Sequence, residues 1–222
     1  MLIKELHLLT NDLARTENFY HNILEFPVAH KTASSIDLSV GTTLLKFMHT
    51  TTEAPFYHFA FNIAHNKIEE ALQWIEPKAE VMNIAGEGKI ADFRNWNAKA
   101  FYFYDSNGSI LEFIARFDLP NATDKPFDAS AICSISEIGL VVNDVRTECA
   151  ALIEKYTLSY FSKQTPMQNF AAVGDDEGLF IVVPKGRPWY PTGKVADVCY
   201  TEVHFDTDKA REVVRLGKRD EW

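Results

Sequence analysis

Apolar and polar positions at the start of the chain follow one strand, one helix and three further strands. Residues 3–9 have the pattern of a half-buried strand, and Asn11 or Asp12 can cap the helix that follows. Side chains spaced four residues apart predict the buried face of this helix: Phe19 with Ile23, and Tyr20 with Leu24. Three short apolar runs come next, at 27–31, 34–40 and 43–49. The pattern predicts a βαβββ unit.

The same order of elements begins again with the apolar run at residues 56–61. A helix is predicted next, because Ile68, Leu72 and Ile75 share one helical face and Pro77 ends it. The following apolar runs predict strands near 80–83, at 100–104 and at 109–115. Residues 1–117 are therefore interpreted as an N-terminal domain in which two βαβββ units pair with each other.

An internal repeat relates the second half of the chain to the first, and such repeats indicate copies of one structural unit. Three positions of the first unit, Leu8, Asn11 and Asp12, align with Leu140, Asn143 and Asp144. Between the halves, residues 117–131 contain Pro and Asp without periodicity, which predicts a domain boundary.

Residues 132–222 are accordingly interpreted as a C-terminal domain. A third βαβββ unit is predicted at about 132–184, and a fourth begins near 198–200, gains a helix after Asp206 and stops at Trp222 with its last strands missing. The expected fold class is α+β, with tandem βαβββ modules and paired, cupped mixed sheets.

Composition narrows the range of functions. The chain has 222 residues, 46% hydrophobic and 24% charged, which is typical of a globular protein with one or two domains. Its 31 acidic and 22 basic residues give a net charge of −9, which repels phosphate backbones and disfavours nucleic-acid binding. No apolar run approaches the roughly 20 residues that span a bilayer, and the N-terminus lacks a signal-peptide pattern. We therefore expect a cytoplasmic protein without a membrane partner.

The cysteines have no spacing that indicates a disulfide framework or a zinc knuckle; they are Cys133, Cys149 and Cys199. They are interpreted as reduced, mostly buried thiols, and a single reactive cysteine is the alternative.

Three polar side chains interrupt apolar strands on the face away from the predicted helices: His7, His58 and Glu112. If the two N-terminal units pair their sheets, these side chains converge. Two imidazoles and one carboxylate are a known ligand set for a divalent metal with open positions. The alternative is that the histidines are ordinary interior residues and the glutamate lies on an exposed strand face.

The βαβββ modules, the first-strand histidines and the last-strand glutamate resemble the vicinal oxygen chelate superfamily. This superfamily includes glyoxalase, extradiol ring-cleaving dioxygenases, fosfomycin resistance proteins and methylmalonyl-CoA epimerase. The resemblance covers about residues 3–184 and extends more weakly to the tail. It implies a metal held by His7, His58 and Glu112, and a small-molecule substrate with adjacent oxygens. The metal would act as a Lewis acid: Fe(II) or Mn(II) for dioxygen chemistry, or Zn(II) or Ni(II) for isomerase or lyase chemistry.

One position favours the three-ligand members of this superfamily. Lys46 falls where glyoxalase-type members have a fourth ligand, and a protonated lysine does not bind a cation. The stretch 101–112 resembles the extradiol signature, but Ser106 replaces a usual Pro, and residues 93–95 lack a usual histidine. An extradiol-dioxygenase-like enzyme is the leading interpretation. The alternatives are a glyoxalase-like lyase or isomerase, a fosfomycin-type thiol transferase, and a metal-free drug-binding protein of the bleomycin-resistance kind.

Tyr102 is the candidate catalytic residue. If the hairpin loop has three residues, 106–108, Tyr102 lies opposite Glu112 on the same face and can hydrogen-bond a substrate oxygen or act as an acid. A loop of four residues would turn it to the other face, as a packing aromatic.

No metal is predicted in the C-terminal half, because Gly139 and Thr201 stand at the positions that match the two candidate histidines. His204 is interpreted as an ordinary histidine. Three residues of a Pro-rich loop are interpreted as packing residues, with a lid or an interface as the alternative: Arg187, Trp189 and Tyr190. Modules of this superfamily pair within a chain or across a dimer, so a homodimer is the alternative to intrachain pairing.

Overall fold

A computed structural model describes residues 1–51, 55–86 and 88–218 of the chain. Its helices are α1 (Leu13–Glu17, continued by a π-helical turn over Asn18–Ile23), α2 (Ile68–Ile75) and α3 (Val145–Tyr156). Its strands are β1 (Leu2–Thr10), β2 (Val28–Lys31), β3 (Ser35–Val40), β4 (Thr43–His49), β5 (His58–Ile63), β6 (Ala91–Phe93), β7 (Ala98–Tyr104), β8 (Ile110–Arg116), β9 (Ile132–Val142), β10 (Ala171–Asp175), β11 (Gly178–Pro184), β12 (Thr201–Asp206) and β13 (Arg211–Leu216).

The strands form two mixed sheets, as the α+β fold class predicted. The six-stranded sheet has the order β13-β12-β1-β4-β3-β2, and the seven-stranded sheet has the order β10-β11-β9-β5-β8-β7-β6. Each sheet combines one unit of the N-terminal half with one unit of the C-terminal half. The expectation that the two N-terminal units pair with each other is therefore wrong.

The connection after β8 explains this pairing. It leads through a short 3-10 turn at Ala129–Ala131 into β9, which runs antiparallel beside β5. The amide of Ala64 donates to the carbonyl of Ala131, and the side chain of Asn121 donates to the carbonyl of Ile63. A connection tied down in this way places consecutive units side by side. The first unit is left to pair through β1 with β12.

The two sheets approach each other closely at the β3–β4 turn. Gly41 has a positive φ of 53°, and a Cβ atom at this position would lie 2.0 Å from the carbonyl oxygen of Cys133. The amide of Thr42 donates to the same oxygen at 2.9 Å. Only glycine fits this close approach of two backbones. The largest buried apolar cluster includes residues of both sheets, such as Leu6 and Phe61.

The helix starts follow the sequence pattern. Asp12 and Asp144, which occupy repeated positions, are the N-caps of α1 and α3, and each accepts a hydrogen bond from the amide three residues on. Phe19, Tyr20 and Leu24 are buried, as the four-residue spacing predicted.

Three elements differ from the predicted ones. Near 80–83, Val81 forms only an isolated bridge to Phe103, and the edge strand is β6 instead. The third unit has two strands after its helix, where three were expected. After Asp206 the chain forms β13, and the expected helix is wrong. The amide of Thr207 donates to Ala210 in a tight turn, and β-branched valines pair back onto β12.

No helix in the described part of the chain has the length and apolar character needed to cross a bilayer. The residues after Lys218, which the predicted C-terminal domain includes, lie outside the described residues.

Candidate functional site

Two of the predicted metal ligands lie together in the seven-stranded sheet. β5 and β8 are parallel neighbours, and His58 and Glu112 project from the same face of the sheet. The Nε2 atom of His58 is 3.7 Å from Oε2 of Glu112, and both side chains are buried. The structure thus brings these two side chains close enough to bind the same ion or small molecule.

The surroundings of His58 hold its ring in one orientation. Its Nδ1 lies 3.1 Å from the carbonyl oxygen of Ile110, which can only accept, so Nδ1 carries the proton and Nε2 is unprotonated. The ring of Trp189 packs against it, with centroids 4.9 Å apart. Burial lowers the pKa of His58 to about 4, although the hydrogen bond to Ile110 opposes the shift. The imidazole is therefore neutral near pH 7 and can bind a metal or accept a proton.

A second carboxylate, which the sequence interpretation missed, lies beside Glu112. Glu137 on β9 lines the same cavity and forms an ion pair with Arg116, whose side chain is fully buried. Burial is the main cause that raises the pKa of Glu112 well above its usual value, and the charge of Glu137 adds to it. The available signal was a charged residue within an otherwise apolar strand, which is the signal that selected Glu112.

Tyr102 lies directly opposite Glu112 in the pairing of β7 with β8. The amide of Asp105 donates to the carbonyl of Ser109 at 3.0 Å, so three residues form the hairpin loop, and the first of the two alternatives for Tyr102 is the one observed. Burial, with the charge of Glu112 second, raises the pKa of Tyr102 well above its usual value. Its hydroxyl remains a proton donor at neutral pH.

These residues line a cavity of about 280 Å³. Aromatic side chains form much of its wall: Phe93, Trp96, Tyr102, Phe170, Trp189 and Tyr190. Arg187 supplies a guanidinium to the wall. The Pro-rich loop that carries Arg187, Trp189 and Tyr190 therefore lines this cavity. A Cβ atom at position 139 would lie 2.5 Å from the tip of the Trp189 ring, so Gly139 makes room for this ring.

His7 does not join this group, so the expectation that all three predicted ligands converge is wrong. It lies in the six-stranded sheet, because β1 pairs with β4 and β12. Its neighbours there are Glu5, Glu202 and His204. His7 and His58 also differ in their position relative to the parallel neighbouring strand. His7 lies directly opposite Lys46 on β4, whereas the residue opposite Glu112 on β5 is Ala60, two residues after His58.

The cavity offers donor types that a divalent metal binds, and the pair of His58 and Glu112 is close enough to bind one ion, with Nε2 and Oε2 3.7 Å apart. The ligand atoms of His58, Glu112 and Glu137 do not all lie within 4.8 Å of one another, so Glu137 would have to move to join them. The donors are an imidazole nitrogen with its lone pair available and two buried carboxylates, from His58, Glu112 and Glu137. Burial raises the pKa of Glu112, the charge of Glu137 adds to this rise, and a bound cation would offset the repulsion between the two carboxylates. One imidazole and carboxylate oxygens are a ligand set that Fe(II), Mn(II) and Zn(II) accept.

The sequence matches the family model described as "Glyoxalase/Bleomycin resistance protein/Dioxygenase superfamily" over residues 2–113, which is half of the chain. A solved structure of a candidate dioxygenase from Bacillus subtilis aligns with 92% of this chain and 81% of its own, at 12% identity and a TM-score of 0.58. The lactoylglutathione lyase of Agrobacterium tumefaciens aligns with 50% of this chain and 90% of its own, at 18% identity and a TM-score of 0.41.

The fosfomycin resistance protein FosX of Listeria monocytogenes, as a mutant with Mn(II) and 1S,2S-dihydroxypropylphosphonic acid, aligns with 53% of this chain and 91% of its own, at 19% identity and a TM-score of 0.41. No curated protein sequence matches significantly. The family match and the two-sheet fold agree with each other. The chain belongs to the glyoxalase, bleomycin resistance protein and dioxygenase superfamily, which is also called the vicinal oxygen chelate superfamily.

Proposed function

We propose that the protein is a metal-dependent enzyme of the vicinal oxygen chelate type, and that it acts on a small aromatic molecule with adjacent oxygens. An extradiol-dioxygenase-like reaction is the leading candidate. The observation that carries the proposal is the buried pair of His58 and Glu112, with Nε2 and Oε2 3.7 Å apart at the wall of an aromatic cavity. Buried titratable groups at a cavity wall are typical of reactive sites.

The cavity wall supports the choice of substrate. A volume of about 280 Å³ suits a small molecule, and rings such as Trp96, Trp189 and Tyr190 present flat faces and edges that pack on an aromatic ring. Arg187 is half-buried in the wall and can pair with a negative charge on the substrate. We therefore expect a single aromatic ring that carries vicinal oxygens and an acidic group.

Three cavity residues would have separate roles in the proposed reaction. Tyr102 keeps its proton and lies across from Glu112, so its hydroxyl can donate a hydrogen bond to a substrate oxygen or supply a proton to it. The Ile110 carbonyl holds the tautomer of His58 with Nε2 available. Trp189 covers the His58 ring and restricts the access of water to it.

A divalent metal would be held by His58 and Glu112, and Glu137 could join them only after its side chain moves. The metal would supply Lewis-acid stabilisation of negative charge on the two adjacent oxygens. Fe(II) or Mn(II) suits the dioxygenase version, and Zn(II) or Ni(II) suits the lyase version. Arg116 would hold Glu137 in place. Burial raises the pKa of Glu137, and the charge of Arg116 opposes this rise.

The test is oxygen uptake by the metal-loaded protein with a panel of catechols, including catechols with a carboxyl group. We expect His58→Ala and Glu112→Gln to lose activity on the order of 100-fold or more, and Tyr102→Phe to lose about 100-fold. His30→Ala, which changes an exposed histidine on β2, is the matched control and should keep full activity. Turnover of hemithioacetals without oxygen uptake would favour the glyoxalase-like lyase over the dioxygenase. Unchanged turnover in His58→Ala would contradict the site.

A metal-free binding protein is the second candidate, and the charge state of the cavity favours it. Burial keeps His58 neutral and raises the pKa of Glu112, while Arg116 offsets the charge of Glu137. Such a cavity can hold a planar molecule without a cation. Quenching of tryptophan fluorescence by planar aromatics would measure this binding, because Trp96 and Trp189 both line the cavity. Equal affinity with and without a chelator would favour the binding protein over the enzyme.

A further inference from the structure

A second group of histidines and carboxylates lies on the other sheet, on one face of the neighbouring strands β1 and β12. In their antiparallel register, Glu5 is opposite His204 and His7 is opposite Glu202. Alternation along each strand directs all four side chains to the same face. The result is a square in which each carboxylate has an imidazole across from it and another two residues along its own strand.

The distances within this group are short. The Nε2 atom of His7 is 2.9 Å from Oε2 of Glu5, and its Nδ1 is 3.4 Å from Oε1 of Glu202. The two imidazole rings have centroids 4.8 Å apart. One ligand atom each from Glu5, His7 and His204 lies within 4.8 Å of the other two. The three side chains are half-buried, so an ion can reach them from solvent.

Glu202 has a different role from Glu5. Its carboxylate accepts hydrogen bonds from Arg215 at 2.7 Å and from the hydroxyl of Tyr200 at 2.6 Å, and it lies 2.6 Å from Nε2 of His204. Arg215 already offsets its charge, so Glu202 is suited to orient the two imidazoles. A carboxylate that fixes a ligating histidine is the usual outer partner of a protein metal site.

We infer that Glu5, His7 and His204 form a transition-metal site on the six-stranded sheet, with Glu202 as the residue that positions the two histidines. Two imidazoles and one carboxylate bind Zn(II), Ni(II), Co(II) or Fe(II) and leave positions open for water. The inference does not depend on the function proposed for the cavity, because it uses other residues on another sheet.

The spacing suits a metal. Bonds of about 2.0–2.2 Å in a tetrahedral site place ligand atoms about 3.4 Å apart, so the widest gap must close by about 1.4 Å at most. Side-chain rotation on fixed strands can supply this movement. Lys46 lies across from His7 on β4, but its ammonium is directed to Asp37, with Nζ and Oδ1 3.5 Å apart. That ion pair engages the positive charge that lies opposite His7.

The test is calorimetric titration of the metal-stripped full chain with Zn(II), repeated with Co(II) so that its visible absorption reports the ligand geometry. We expect His204→Ala to remove this site and Glu5→Gln to weaken it at least about 10-fold. Glu5→Gln preserves shape on a half-buried side chain, so it guards against misfolding of the alanine variant. His30→Ala is the matched control for nonspecific binding to an exposed histidine.

The double variant His58→Ala with Glu112→Gln separates the two proposals. It removes the cavity ligands and should leave the site on the six-stranded sheet with its affinity and Co(II) spectrum unchanged. If His204→Ala and Glu5→Gln bind metal as the wild type does, or if the wild type binds no Zn(II) or Co(II), the inference is overturned. Loss of binding only in the double variant overturns it as well and leaves the cavity proposal standing.

Discussion

Arg116 offers a sharp test of how the cavity is held together. Its side chain is fully buried, its guanidinium pairs with Glu137 and with Asp176, and it lies over the ring of Trp96 at 5.5 Å. Arg116→Met keeps the length and apolar stem of the side chain but removes its charge. Asp176 keeps a cation, because Lys163 lies 2.6 Å from it. Glu137 is then the buried carboxylate without a partner.

The expected magnitude follows from this burial. Removing one member of a buried ion pair costs about 3–5 kcal/mol, because the remaining charge has lost water without gaining a partner. The double variant Arg116→Met with Glu137→Gln leaves no buried charge and should recover at least about 2 kcal/mol of that loss. The direction in which this loss of stability changes with pH also follows from the burial of Glu137. Glu137 in the single variant will have a pKa raised by burial, so its protonated form is favoured in the folded state, and the deficit should grow as the pH rises above about 4.5.

The assay is urea unfolding followed by circular dichroism, at pH 5 and pH 8, for the wild type and the three variants of the cycle. Arg94→Met is the matched control, because Arg94 pairs with Asp92 at the surface, where an ion pair contributes about 0–1 kcal/mol. A loss below about 1 kcal/mol in Arg116→Met, or a double variant no more stable than the single one, would refute the reasoning.

Three further predictions concern single positions. His58→Gln should remove a loss of stability that the wild type shows in acid. The pKa of His58 is lowered to about 4, so the contribution of the neutral imidazole to the free energy of unfolding is full above pH 6.5 and falls by up to about 3 kcal/mol towards pH 4. Urea unfolding at pH 7 and pH 4 measures this difference. Gly41→Ala should cost at least about 2 kcal/mol in the same assay, because the new Cβ would meet the carbonyl of Cys133. Gly139→Ala should displace Trp189, since the Cβ would lie 2.5 Å from its ring, and should weaken aromatic ligand binding in a fluorescence titration at least about 10-fold.

One control serves both glycine variants. A Cβ atom at Gly193 would meet no atom within 4 Å, so Gly193→Ala should leave stability and ligand binding unchanged. If it lowers stability as much as Gly41→Ala does, the close approach to Cys133 is not the cause. If the free energy of unfolding changes with pH in the same way for the wild type and His58→Gln, His58 is not buried as a neutral imidazole.

Much of the local structure was predictable because its causes are local. Asp12 caps α1 because a short carboxylate reaches the free amides of the first turn, and this depends on a few neighbouring residues. Tyr102 faces the same side as Glu112 because a three-residue loop sets the register of a hairpin. The cavity histidine and glutamate were recognisable as polar residues on an apolar strand face.

The tertiary structure decided which units pair, and with that the composition of both sites. Strand alternation tells which face a side chain occupies, but it carries no information about which strand completes the sheet edge. β1 pairs with β12 from the far end of the chain, so His7 meets His204 in place of His58. β5 pairs with β9, so Glu137 joins the cavity. These neighbours come from distant segments, and only the packing of the two sheets brings them together.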